Sequence, residues 1–167
     1  MLEAIIIAGA NGAGKTTFAR QLLPALHPDV PFLNVDELQV ENRTFAHPVA
    51  AGREFLWRLE ERARLRGSFA LETTLSSTMY ARRIRVWRAS GYRVYLHFID
   101  VPSEDFALQR VAMRVAAGGR DVAEPDVRRR YHRGLTLFAQ VYKPIVDEWY
   151  HWYSDEEGLR LGQYQDR

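Results

Sequence analysis

The chain contains no cysteine, which excludes disulfides, thiol catalysis and cysteine-ligated zinc and leaves the redox compartment open. It has no apolar run approaching the roughly 20 residues of a membrane span. Its start, MLEAIIIAGANG, carries no basic leader. The expectation is a cytoplasmic protein without a membrane partner. Lysine is nearly absent: of the 23 basic residues only Lys15 and Lys143 are lysines, and the rest are arginines. The histidines, at 27, 47, 97, 132 and 151, show no metal-ligand spacing, so no metal beyond magnesium is expected. Net charge is +2 and the sequence pI about 9.0, too small a bias to identify a nucleic-acid partner, and none is expected.

What is present describes an ordinary globular chain, with 47% hydrophobic and 26% charged residues in 167. That length suits a single domain over residues 1–167.

The strongest local signal surrounds the exceptional lysine. Residues 4 to 8, AIIIA, form a short apolar run rich in β-branched side chains, and GANGAGKT follows from Gly9 to Thr16. This is G-x-x-x-x-G-K-T between a predicted strand and a predicted helix through TTFARQLLPAL. Glycines at 9, 12 and 14 allow tight turns whose amides form an anion nest before the helix. The loop Gly9, Ala10, Asn11, Gly12, Ala13, Gly14, Lys15, Thr16 and Thr17 is therefore expected to hold a nucleoside triphosphate. Lys15 would reach the β- and γ-phosphates as a mobile point charge, and Thr16 would ligate Mg2+.

Beyond the loop, HPDVP breaks the chain and FLNVD, residues 32 to 36, reads as a second strand ending in Asp36. Residues 48 to 66 read as an amphipathic helix stopped by Gly67, SFALETT as a third strand, and TMYARRIRVWRAS as a helix ended by Gly91. YRVYLHFID is a fourth strand, and SEDFALQRVAMRVAA a helix capped at Ser103 and closed at Gly118 and Gly119. EPDVRRRYHRGLTLFAQVYKPIVDEW keeps a helical apolar period to Trp149, with Pro144 expected to kink or split it. HWYS, residues 151 to 154, is a candidate last strand. Strands alternating with helices behind a phosphate loop predict a three-layer α/β fold, with a mostly parallel sheet of about five strands, of the small-kinase, adenylate-kinase-like type. In such sheets ligands gather at the carboxyl ends of the strands. That rule brings the loop, Asp36, Glu72, Thr74 and Asp100 to one edge.

Several nucleotide-using classes are disfavoured. There is no NKxD-like guanine reader, no LSGG-like signature and no acidic pair closing an apolar strand. Asp100, ending LHFID, is either a water-mediated magnesium holder or a capping carboxylate. Small kinases remain, with an acceptor site on the second and third strand ends and an arginine-bearing lid. Asp36 fits a base that takes an acceptor hydroxyl's proton, or else a cap for the next helix. Glu72 and Thr74, two apart on a strand, share a face, with Thr73 pointing the other way.

GANGAGKTTFA, FLNVDEL, AGREFLWRLEERARLRGSFALETTLSS and RVAMRVAAGGRDVAEPDVRRRYHRGL together resemble the zeta-toxin-like P-loop kinases, including short bacterial members often labelled as ABC-type ATPases. The resemblance implies an ATP- and Mg2+-dependent kinase acting on a hydroxyl of a small acceptor, such as the nucleotide-sugar UDP-N-acetylglucosamine, and a separate antitoxin protein as partner. It implies Asp36 as base, Glu72 and Thr74 on the acceptor, and a further acceptor contact at Glu54. It also implies a lid-like segment around 110–130, whose Arg114 and Arg120 neutralise the transferred phosphoryl group, with Arg110 as substitute for Arg114. Within the arginine cluster Arg128, Arg129, Arg130 and Arg133, the choice between ligand contact and a solvated face is open. Where the family's glutamate–threonine pair can be followed by arginine, this chain has Ser76. The competing reading is a nucleotide-dependent ATPase or RNA-binding or RNA-modifying protein without small-molecule kinase activity.

Overall fold

The computed structural model describes residues 1–34 and 48–166. Its centre is β1 (Leu2–Gly9), whose residues from Ala4 to Ala8 are fully buried, as a strand covered on both faces requires. A parallel strand lies on each side of it. On one side β3 (Phe69–Thr73) pairs Ile7 with Glu72 and Ala8 with Thr73. On the other β4 (Tyr92–Asp100) pairs Gly9 with Ile99. The phosphate loop and the ends of β3 and β4 therefore emerge at the same edge. The short β2 (Phe32–Leu33) extends the sheet beyond β3. Asp36 lies outside the described residues.

Two further strands complete the order β2-β3-β1-β4-β5-β6. β5 (Glu148–Asp155) is parallel to β4, and β6 (Gly158–Gln165) returns antiparallel to β5 as the exposed edge. The expected α/β class and parallel sheet are found, with a sixth strand added.

The helices cover both faces. α1 (Lys15–Gln21) and α2 (Leu23–Leu26) follow the loop, and Phe18 and Leu23 pack on one face beneath His97 and Trp152. Burial holds His97 uncharged, lowering its pKa to about 3. α3 (Pro48–Arg64) and α4 (Met79–Ala89) cover the other face through Phe55, Leu59, Ile84 and Trp87. α5 (Glu104–Ala116) opens on Ser103, whose Oγ accepts the Phe106 amide at 3.1 Å. It buries Ala107 and Val111 on the α1 side. Among the described residues no helix is long and apolar enough to cross a membrane.

α6 (Glu124–Leu137) crosses between the two faces. Its Val127 and Tyr131 belong to the core on the α1 side, and Leu135 and Leu137 to the core on the α3 side. The crossing passes over the carboxyl edge of the sheet at Gly134, where a Cβ would lie 2.9 Å from the Thr74 carbonyl oxygen. The expected helix to Trp149 is corrected here. α6 ends at Leu137, widens into a π-turn at Phe138–Tyr142, and stops before Pro144, while Trp149 belongs to β5. Proline supplies no N–H to continue a helix. The apolar residues beyond it alternate onto a strand, and Lys143 Nζ caps the Trp149 ring at 3.8 Å.

Gly134→Val should lower stability by about 1–3 kcal/mol in urea denaturation, because the contact is with backbone that has no rotamer to yield. A stability equal to that of the unsubstituted protein would show that the crossing tolerates a side chain.

Candidate active site

The phosphate loop is built by its glycines and by Lys15. Gly14 precedes α1 with φ 90°, and open space surrounds the position where a Cβ would be. Gly12, at φ 81°, presses against α5, where a Cβ would lie 2.6 Å from the Ala107 carbonyl oxygen and 2.9 Å from Arg110 Cβ. Both positions require glycine. Lys15 Nζ donates to the carbonyls of Gly9 at 3.0 Å and Ala10 at 2.9 Å, so its ammonium is folded back over the loop. Ala10 and Ala13 are buried and anchor the loop to the core.

The loop opens into a cleft of about 790 Å³. Asn11, Gly12, Gly14, Lys15, Thr16 and Thr17 line one side, and Glu72, Thr73 and Thr74 form the strand-end side. Thr16 Oγ1 donates to Glu72 Oε2 at 2.9 Å, joining the two. β3 ends at Thr73, Leu75 takes a positive φ of 54°, and Glu72, Thr73 and Thr74 all border the cleft. Thr73 Oγ1 accepts the Leu75 amide at 3.1 Å, and the Thr74 and Ser76 hydroxyls lie 2.9 Å apart.

The third side is rich in arginine. Arg110, Arg114, Arg120 and Arg130 all line the cleft, with Asp121 and Asp126. Arg114 donates to the Arg120 carbonyl at 2.7 Å, closing the turn that carries both. Arg110 is positioned by the Asp155 carbonyl at 3.0 Å and by the Phe106 ring.

Of the cluster at 128–133, Arg130 lines the cleft and donates to Asn11 Oδ1 at 3.3 Å. Arg128 instead joins Glu104, Asp105 and Glu124 within 3.0 Å, and Arg129 joins Asp126. Hydrogen bonds donated to those carboxylates, Glu124 foremost, hold the Arg128 guanidinium well above its usual range. Sequence reasoning left Arg130 unresolved, because four arginines in one cluster look alike until a helix direction separates them.

Two candidates lie elsewhere. Glu54 does not line the cleft; it accepts from Arg58 Nε at 2.8 Å, one turn along α3. Asp100 also lies outside it, where one oxygen accepts the Val101 amide at 2.8 Å and the other lies 3.2 Å from His151 Nε2. The carboxylate beside Thr16 is Glu72.

The donor set fits a polyphosphate. Five cationic side chains (Lys15, Arg110, Arg114, Arg120 and Arg130) face three carboxylates (Glu72, Asp121 and Asp126) in the cleft. Planar arginine forks suit phosphate oxygens, and Lys15 adds a compact charge. Thr16 and Glu72 offer the hard oxygen donors that magnesium takes along with water.

Comparison with known proteins agrees with this geometry. The zeta toxin family model matches residues 3–144. An uncharacterized protein of Haemophilus influenzae is 27% identical over 135 residues, 77% of this chain and 92% of that protein. A chain of the crystal structure of AvrRxo1-ORF1:-ORF2 with ATP superposes with a TM-score of 0.72 at 17% identity. It matches 99% of this chain, which spans 59% of that one. A chain from the PezAT toxin–antitoxin system of Streptococcus pneumoniae gives 0.66 at 15% identity, over 98% of this chain and 72% of that one.

The contrast between neighbouring arginines is measurable. Arg130→Ala should weaken binding of a fluorescent ATP analogue about tenfold, the scale of one charge-assisted phosphate contact. Arg128→Ala should leave it within twofold, about 0.4 kcal/mol. Equal effects would show that the helix direction does not sort these side chains.

Proposed function

The chain belongs to the zeta toxin family, by family and by fold a P-loop kinase, and from that premise we propose that it transfers the γ-phosphoryl group of ATP to a hydroxyl of a small acceptor. The observation that carries this reading is the union of phosphate loop, β3 end and arginine lid around one cleft. A nucleotide sensor or simple ATPase has no need of a second polar wall beside the loop.

In this reading Gly9 to Thr17 cradle the triphosphate and Lys15 turns from the loop carbonyls toward its terminal phosphates. Arg114, Arg120 and Arg130 neutralise the charge that develops on the moving phosphoryl group, acting as fixed donors in a partly enclosed site. Thr16 would hold Mg2+, with Glu72 beside it to accept from the hydroxyl or a metal-bound water; the ion supplies charge neutralisation across the phosphates. Thr74 and Glu72 hold the acceptor. Asp36 takes the acceptor's proton as its oxygen bonds to phosphorus and the bridging bond to the leaving ADP breaks. Glu54 serves, if at all, only after releasing Arg58.

The family relationship supports a nucleotide-sugar acceptor such as UDP-N-acetylglucosamine. The PezAT likeness supports a separate antitoxin protein as partner. The whole chain acts as one domain in the cytoplasm, with residues 110–130 as its lid. The RNA-binding alternative loses its main surface, since Arg128 and Arg129 are already paired with carboxylates.

Two substitutions test the roles separately. Lys15→Ala should abolish ATP turnover, and undiminished turnover would remove the loop from the mechanism. Asp36→Asn should leave ATP binding within about twofold while phosphoryl transfer falls about 100-fold or more, the scale of general-base catalysis. Equal transfer by both forms would exclude Asp36 as base.

A further inference from the structure

On the sheet face away from α1, helices α3 and α4 leave a groove of about 490 Å³ that shares no residue with the cleft. Ala63 and the buried Trp87 and Tyr92 line it, and Met79 and Val86 stand at its open side, 42% and 56% exposed. Arginines rim it. α4 carries Arg82, Arg83, Arg85 and Arg88 and no acidic residue. Arg83 is held by Glu60 at 2.8 Å and by the Met79 carbonyl at 3.3 Å, yet its Nε is buried without an acceptor. Arg82 and Arg85 are exposed, and neither makes an ion pair among the described residues.

We propose that this groove docks an acidic amphipathic helix from a partner protein. A helix laid in a groove offers apolar side chains at i, i+3, i+4 and i+7 to a strip such as Met79, Val86 and Trp87. Its flanking carboxylates would meet Arg82 in the groove and Arg85 on the exposed helix surface beside it, whose charge no residue of α4 offsets. A nucleic acid would use the arginines but leave Met79 and Val86 without a role. A second copy of the chain would bring the same basic rim against itself. Charge complementarity therefore selects an acidic protein segment.

The probe is a helical peptide of leucine and glutamate with its leucines in one stripe, compared with its leucine–lysine counterpart, a single-stranded oligoribonucleotide and phosphatidylglycerol vesicles. The leucine–glutamate peptide should bind, with amide shifts confined to α3 and α4, and the leucine–lysine peptide should not. The paired substitution Arg82→Glu with Arg85→Glu should weaken binding about tenfold or more. Arg82→Gln with Arg85→Gln should give a smaller loss with the same sign. Val86→Ser should weaken it independently, and ATP turnover should be unchanged in all three, which separates this surface from the kinase reading. Binding that ignores the charge reversal, shifts that map elsewhere, failure of the acidic peptide to bind, or capture of the RNA or vesicles by these arginines in its place would each overturn the proposal.

Discussion

Helix α6 crosses the carboxyl edge of the sheet with Gly134 against the Thr74 carbonyl, and the shape of the cleft depends on that crossing. By passing over the edge, α6 packs Val127 and Tyr131 on one side of the sheet and Leu135 on the other. The turn between these anchors sets Arg130 beside Asn11. A second close contact, Gly12 against Ala107, fixes α5 and its arginines to the same loop. The loop and the arginine-bearing helices are thus positioned by packing of backbone on backbone, which is stiffer than any pair of long side chains could be.

Electrostatics then assign tasks within that frame. Arginines facing away from the cleft, such as Arg128, are bound by carboxylates on α5 and α6 and brace the two helices together. Three that face inward have backbone or amide partners: Arg114 holds the Arg120 carbonyl, Arg110 that of Asp155, and Arg130 the Asn11 side chain. Neutral partners orient a guanidinium without cancelling its charge, so these three can still attract an anion. Lys15 Nζ likewise donates to two carbonyls. On the strand-end side, Glu72 brings negative charge to the Thr16 hydroxyl, where a divalent cation would be welcome.

Much of this was legible in the sequence for identifiable reasons. The loop was readable because glycine and lysine at fixed spacing serve few other ends, and β1 and β4 because buried parallel strands are continuously apolar. Glu72 and Thr74 followed from the rule that ligands meet the carboxyl ends of strands. The errors also have causes. The apolar period through Tyr142, Ile145 and Trp149 is helical, and only Pro144 spoke for a break before Trp149. β6 escaped notice because it is exposed almost throughout and offers little alternation. The turn after β3 rests on a positive φ at Leu75, which nothing in a leucine announces. Arg130 was hidden among equals, and nothing in the sequence marks the close contact of Gly134 with Thr74.

The central claim is that the cleft moves a phosphoryl group onto a hydroxyl. The most direct measurement follows the label of γ-phosphate-labelled ATP through incubation with the protein, Mg2+ and a panel of nucleotide-sugars, free sugars, nucleosides and RNA ends. The account predicts label on one class of small hydroxylated acceptor, in amounts matching the ADP formed. Label recovered only as inorganic phosphate, or transferred only to RNA ends, would contradict it.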